Sequence, residues 1–193
     1  MPLDPIKMVQ QWFEEAIHAE PSTPEAMSVA TVDSKTGRPS LRLVLLRGVD
    51  ESGFVFYTNT KSRKGREIEK NSHVALALHW KSLGRQLRVE GVASKVSEAE
   101  ADKYFASRHR GSQIGAWASD QSATLENRQI LLNSIQQVEE KFKDKEVQRP
   151  PFWSGYRVKP QTIEFWEDRA DRLHVRNFYW LDGDLWSKKL LHP

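Results

Sequence analysis

Ser62-Arg63-Lys64-Gly65-Arg66 follows an apolar segment ending Tyr57-Thr58-Asn59 and opens a predicted helix over 62–71. Cations in a first turn oppose the helix dipole, at about 0.3–1 kcal/mol each. An anion held on the free N–H groups reverses that sign. The competing reading is that these long side chains bend away into water. A second group is Tyr104, Arg108 and Ser112. The first two, four apart, are expected on one helix face, with Ser112 just beyond the helix. A phenol, a guanidinium and a hydroxyl suit a phosphate monoester; alternatively, Tyr104 is core and Arg108 a solvated helix end. The third group, Arg172, His174 and Arg176, alternates in a predicted strand. Its members would share one face and repel unless they meet an anion or water. Arg42 and Arg47 bracket Leu43-Val44-Leu45-Leu46, a run apolar on both faces that predicts a central strand. Gln86 opens an alternating strand and Gln121-Ser122 lies in a polar loop.

Several chemistries are excluded. No two of the 10 glycines are two residues apart, so there is no dinucleotide fingerprint, and no glycine is followed by Lys-Ser or Lys-Thr as a Walker loop needs. The six histidines lack metal-ligand spacing, and no metal site is expected. With 0 Cys there is no thiolate nucleophile, disulfide or iron–sulfur cluster. A net charge of +3, with both signs alternating along most segments, argues against a nucleic-acid stripe. The longest apolar run, Val74 to Leu78, is too short to span a membrane. Met1-Pro2-Leu3-Asp4-Pro5 does not read as a signal peptide, so a cytoplasmic protein is expected.

Positioning these groups requires a scaffold, and 193 residues suffice for one domain over 1–193. Ile6, Val9, Trp12, Phe13 and Ile17 predict a helix over 4–19, within an N-terminal segment 1–20. Strands are expected over 27–32, 41–47, 54–58, 74–80 and 86–96, separated by turn signals. Ser97-Glu98-Ala99-Glu100 forms a capping box for a helix reaching about Arg108, and another helix is expected over 124–142. After Pro150-Pro151, strands return over 155–158, 162–166, 173–180 and 185–190. Consecutive strands with interspersed helices predict a mainly β, α+β fold, an antiparallel barrel rather than a doubly wound sheet.

Together these segments resemble the pyridoxamine 5′-phosphate oxidase family over nearly the whole chain. The resemblance rests on Arg42-Leu-Val-Leu-Leu-Arg47, Phe56-Tyr-Thr-Asn59, Ser62-Arg-Lys-Gly65, Arg85-Gln86 and Tyr104-Phe-Ala-Ser-Arg108. It continues in Ser112-Gln-Ile-Gly-Ala-Trp-Ala-Ser119, Gln121-Ser122, Ile163-Glu-Phe-Trp166 and Arg172-Leu-His174. It implies an FMN-binding split β-barrel working as a homodimer, with the flavin in a cleft between subunits. FMN would be held by Arg42, Leu43, Val44, Leu45, Leu46, Arg47, Tyr57, Thr58, Arg63, Lys64, Gln86, Gln121, Ser122, Trp166 and Arg176. Substrate would meet Arg47, Tyr104, Arg108, Ser112, Arg172, Leu173 and His174, with Arg172 and His174 the catalytic pair over the pyridine ring. The implied reaction oxidises pyridoxamine or pyridoxine 5′-phosphate to pyridoxal 5′-phosphate, with O2 as acceptor and H2O2 as co-product.

Four departures bear on substrate identity. Arg47 stands where the family usually has Lys, Val175 where it has Asp, and Thr23 where an acidic residue is common; a basic N-terminal extension found in some relatives is not seen. Arg47 and Val175 keep open a related split-barrel flavin enzyme acting on another aromatic compound, such as a phenazine precursor. A non-catalytic flavin carrier is the reading from another class.

Overall fold

The computed structural model describes residues 4–193. Met1-Pro2-Leu3, on which part of the N-terminal expectations rest, lie outside the described residues. Helix α1 (Pro5–Ala19) begins where the Asp4 carboxylate accepts from the Lys7 N–H, with Pro5 in the first turn. Proline costs nothing there, because that N–H has no helical partner. The helix buries Ile6, Val9, Trp12 and Ala16; Ile17 is exposed instead.

Nine antiparallel strands form one curled sheet: β1 (Ala26–Val32), β2 (Pro39–Leu45), β3 (Gly48–Asp50), β4 (Gly53–Asn59), β5 (His73–Trp80), β6 (Arg85–Lys95), β7 (Trp153–Glu167), β8 (Val175–Asp182) and β9 (Leu185–Leu191). The order is β2-β1-β5-β6-β7-β4-β3, with β8 on β7 and β9 on β8. The start of β7 pairs with β4 and its end with β8, so β7 carries two neighbours in succession along one edge. The register on β6 shifts between Glu90 and Gly91. A Cβ on Gly91 would lie 2.3 Å from the Lys159 carbonyl oxygen, so only glycine permits this approach. Phe54, Phe56, Leu78, Leu87, Val89, Val158, Ile163 and Phe165 fill the core. Five helices complete the α+β architecture: α1, α2 (Arg63–Lys70), α3 (Glu98–Ala106), α4 (Arg110–Ala118) and α5 (Arg128–Lys141). A smaller core of Phe105, Ile114, Val147 and Trp153 lies beneath the last three.

The structure corrects several expectations. β2 is an edge strand, not a central one. Its run is apolar on both faces because Leu41 and Leu43, 68% and 69% exposed, face outward from an edge on which no other described strand pairs. The strands expected over 155–158 and 162–166 are one, because Pro160 falls at the register shift, where its missing N–H is tolerated. α3 ends at Ala106, so Arg108 is not on its face with Tyr104 but in the connector to α4, a helix without a clear periodic signal. α5 starts at the Asn127 cap, four residues later than expected. β8 starts only at Val175, so Arg172, Leu173 and His174 precede it and do not share a strand face with Arg176. Arg172 instead ends a short 3-10 turn, where Asp171 and Arg172 both have positive φ (55° and 60°).

Candidate active site

A cavity of about 690 Å³ opens between β2, the end of β4, the start of α2 and the α3–α4 region. It gathers Leu43, Val44, Leu45, Arg47, Tyr57, Thr58, Lys64, Tyr104, Arg108, Ser112 and Gln121 from the predicted set. Thus the α2 terminus and the Tyr104 group, 40 residues apart in sequence, share one cavity.

Lys64 does not bend into water. It is 6% exposed and points inward, its Nζ donating to Thr58 Oγ1 at 3.0 Å and approaching Ser62 Oγ and Gln121 Oε1 at 3.4 Å. All three partners are neutral. Burial, reinforced by the charge of Arg42, lowers its pKa to about 8. A buried ammonium with only neutral partners is relieved either by losing its proton or by gaining an anion.

Arg42 and Arg63 are handled differently. Both pair with Glu67, at 3.4 Å and 2.8 Å. Thr31 donates to the same carboxylate, and Ser40 does so at 2.6 Å. Burial opposes the Glu67 charge, but hydrogen bonds from Ser40, Thr31 and Arg63 outweigh it and hold the pKa at about 2. One carboxylate therefore aims two guanidiniums while leaving a net positive charge beside Lys64. Arg66, by contrast, is exposed.

Arg108 forms the other pole. Its guanidinium has no ion-pair or side-chain hydrogen-bond partner among the described residues, and its Nη1 is buried without one. Burial lowers its pKa; Tyr104 acts the other way and Arg47 adds to the decrease. Its neighbours are aromatic, with the charge 4.8 Å from the Trp153 ring centroid and 5.7 Å from that of Phe105. Tyr57 and Tyr104 stack at 3.9 Å, and Tyr57 and Trp153 at 5.4 Å. Burial first, then Glu100, pushes the Tyr57 pKa up to about 12, so its phenol stays neutral. Arg47 lies 3.6 Å from Glu25 and is partly neutralised.

The remaining predicted residues do not line this cavity. Leu46 turns into the core, and Ser122 sits in the polar loop at φ 74°. Gln86, Trp166, Arg172, Leu173, His174 and Arg176 gather elsewhere. Gln86 is registered opposite Trp166, and Trp166 opposite Arg176. His174 lies 4.4 Å from the Trp166 ring, 3.1 Å from Asp168, and within reach of the Arg169 N–H at 3.3 Å. Arg176 donates to Glu164 at 2.7 and 3.1 Å. β7 is 15 residues long, with Trp153 at its start and Trp166 one residue from its end. At about 3.3 Å per residue the strand's contour is roughly 50 Å. The two groups therefore lie near opposite ends of one strand.

Sequence reasoning missed Asn59, Ser107, His109, Ser119 and Trp153, which also line the cavity. Trp153 follows Pro150-Pro151 with no spacing that marks it; only the meeting of β7 with α3 reveals it. The α4 residues, such as Gly115 and Ala116, went unseen with their helix.

Comparison with known proteins adds to this geometry. Residues 13–142 match the family model described as pyridoxamine 5′-phosphate oxidase. Residues 153–193 match the pyridoxine 5′-phosphate oxidase C-terminal dimerisation region. The chain is 53% identical to a pyridoxine/pyridoxamine 5′-phosphate oxidase of Gluconobacter oxydans, over 98% of this chain and 94% of that one. It is also 53% identical to one of Rubrobacter xylanophilus, over 98% and 87%. Among solved structures, PhzG from Burkholderia lata in complex with tetrahydrophenazine-1-carboxylic acid superposes with a TM-score of 0.93 at 33% identity, covering 100% of this chain and 94% of that one. A pyridoxamine 5′-phosphate oxidase-related, FMN binding protein from Nostoc punctiforme shares the fold (TM-score 0.78, 16% identity, full coverage of both chains).

Proposed function

The chain belongs to the pyridoxamine 5′-phosphate oxidase family and is an oxidoreductase, and from that premise we propose that it oxidises pyridoxamine or pyridoxine 5′-phosphate to pyridoxal 5′-phosphate, using FMN and O2 and releasing H2O2. The observation that carries this reading is Arg108, a half-buried guanidinium that lines one cavity with Tyr104 and Ser112 and has no carboxylate partner among the described residues. A substrate phosphate on this guanidinium accepts charge-assisted hydrogen bonds and offsets a partly desolvated charge.

The residues present also fit FMN. Lys64 is a buried cation with neutral partners only, flanked by Thr58, Gln121 and two arginines oriented by Glu67. These groups suit the flavin's phosphate, and the backbone of Leu43 to Leu46 and the Gln86 amide suit its ring. When bound, FMN supplies the two-electron acceptor for the carbon bearing the substrate's amine or alcohol. The protein's part is orientation and charge. Tyr104, Arg108 and Ser112 anchor the phosphate, while Arg172 and His174 of a second subunit cover the pyridine ring. The match to a dimerisation region and the separation of the half-sites along β7 support a homodimer with shared sites.

A related reaction on an aromatic carboxylic acid is the second reading. The likeness to the PhzG structure favours it, since a carboxylate is also an anion that Arg108 can bind. The test is direct. Purified protein loaded with FMN is given pyridoxamine 5′-phosphate in air, and aldehyde and peroxide are followed. Equimolar formation of both supports the leading reading. A flavin-loaded protein that makes neither leaves the second, and a protein unable to take up FMN removes both.

A further inference from the structure

We propose that Trp153 is a positioning residue that holds the Arg108 guanidinium by its face and so leaves its hydrogen-bonding edge free for a phosphate dianion. The inference rests on the reading of this cavity as a phosphate site, but nothing in the family comparison assigns Trp153 a role.

A partly buried arginine is usually fixed by a carboxylate, as Glu67 fixes Arg42 and Glu164 fixes Arg176. A carboxylate at Arg108 would consume the donors and the charge that an incoming phosphate needs. Arg108 has no such partner; its contacts are the rings of Trp153 at 4.8 Å and Phe105 at 5.7 Å. An aromatic face attracts the cation without occupying its N–H groups. Those two rings meet edge to face at 5.1 Å and 70°, forming a corner that confines the guanidinium from two directions.

Trp153 is itself immobilised. It is 5% exposed, and its ring stacks on Tyr57 at an interplanar angle of 9°. Its N–H donates to the Pro150 carbonyl at 3.0 Å, and its carbonyl accepts from Arg149 at 2.6 Å. Arg149 also pairs with Glu98 and Asp102 of α3, tying the tryptophan to the helix that precedes Arg108. Trp153 thus stands between Tyr57, on the strand assigned to flavin, and Arg108, assigned to substrate. It brings rigidity to an arginine that sits in a connector rather than in a helix.

The test uses FMN-loaded protein, so that the flavin's own phosphate site is filled. Wild type, W153F, W153L and R108A are titrated calorimetrically with inorganic phosphate and assayed with pyridoxamine 5′-phosphate. In W153L, phosphate affinity is expected to fall and KM to rise by about 3- to 30-fold, the range for losing a desolvated cation–π contact. Its kcat should change less than its KM, and FMN should be retained. W153F keeps a smaller ring and should lie between wild type and W153L. Unchanged phosphate affinity in W153L overturns the proposal. So does equal loss of FMN retention, kcat and phosphate affinity in both variants, which would show packing alone. If W153L does not fold, W153F decides by the same two readouts. Failure of the functional reading looks different: the wild type binds phosphate, R108A does not, and pyridoxamine 5′-phosphate is not oxidised.

Discussion

At the scale of single residues, the informative cations are those without carboxylates. Lys64 has a pKa lowered to about 8, below the ordinary lysine value of 10.5. Its charge in the free protein is therefore lost as pH rises through about 8. A bound phosphate favours the charged form, so FMN binding is expected to take up a proton above that pH. FMN affinity should fall between pH 8 and 10, by up to about tenfold per pH unit. Fluorescence titrations at several pH values check this, and K64M should bind more weakly at pH 7 and lose the slope. The stability of the FMN-free protein runs the other way. The unfolded chain binds more protons between pH 8 and 10.5, so Lys64 penalises folding below pH 8 and the penalty lifts above it. R172A should lower turnover far more than FMN retention, since Arg172 is assigned to the substrate's ring and not to the flavin; equal losses would show that its role is wrongly assigned. The chemistry-bearing residue types were legible in the sequence because a guanidinium or an ammonium in an apolar context announces an anion. Which of them are neutralised was not legible. Glu67 lies on the same helix as Arg63, but its reach to Arg42, Thr31 and Ser40 exists only once α2 packs on β1 and β2.

At the scale of elements, α2 is pinned by that carboxylate. Glu67 is held at about 2 against an ordinary 4.5, so its contribution to stability is complete above pH 4.5 and is lost as pH falls towards 2. E67Q keeps the shape and removes the charge, leaving Arg42 in a part-buried site with no anion. It is expected to cost roughly 2–4 kcal/mol and to flatten the acid limb of the unfolding curve between pH 4.5 and 2. Chemical denaturation across that range measures both. The strand that faces α2's cavity has its own constraint. A Cβ on Gly155 would lie 2.7 Å from the Tyr57 ring, so G155A should displace Tyr57 from its stack and weaken FMN binding. Strand and hairpin signals placed most of the sheet correctly, because alternation and turn residues are local. The failures share one cause. Pro160 in β7, the end of α3 before Arg108 and the start of β8 after His174 are set by what packs opposite them, not by the residues themselves.

At the scale of the whole molecule, the proposed shared sites require a second copy of the chain. β2 leaves Leu41 and Leu43 exposed on a sheet edge, and Leu173 and Leu190 are 67% and 71% exposed near the group around Trp166 and Arg176. Contiguous exposed leucines on an edge strand call for a covering surface. Residues 153–193, which carry Trp166, His174 and Arg176, match a family region described as a dimerisation region, so a second copy of the chain is the expected cover. L41D should shift the protein to a monomer in light scattering and release FMN, although Leu41 does not line the cavity. Sharing of sites across the dimer has a sharper consequence. R108A damages the cavity half-site and R172A the half-site at the far end of β7, so each homodimer has two damaged sites. A heterodimer of the two concentrates both lesions in one site and leaves the other intact. Random reassociation of an equal mixture makes half the dimers mixed, each with one working site of two, so activity should recover to about a quarter of wild type. If both half-sites of one chain served the same flavin, every site in the mixture would carry a lesion and mixing would restore nothing.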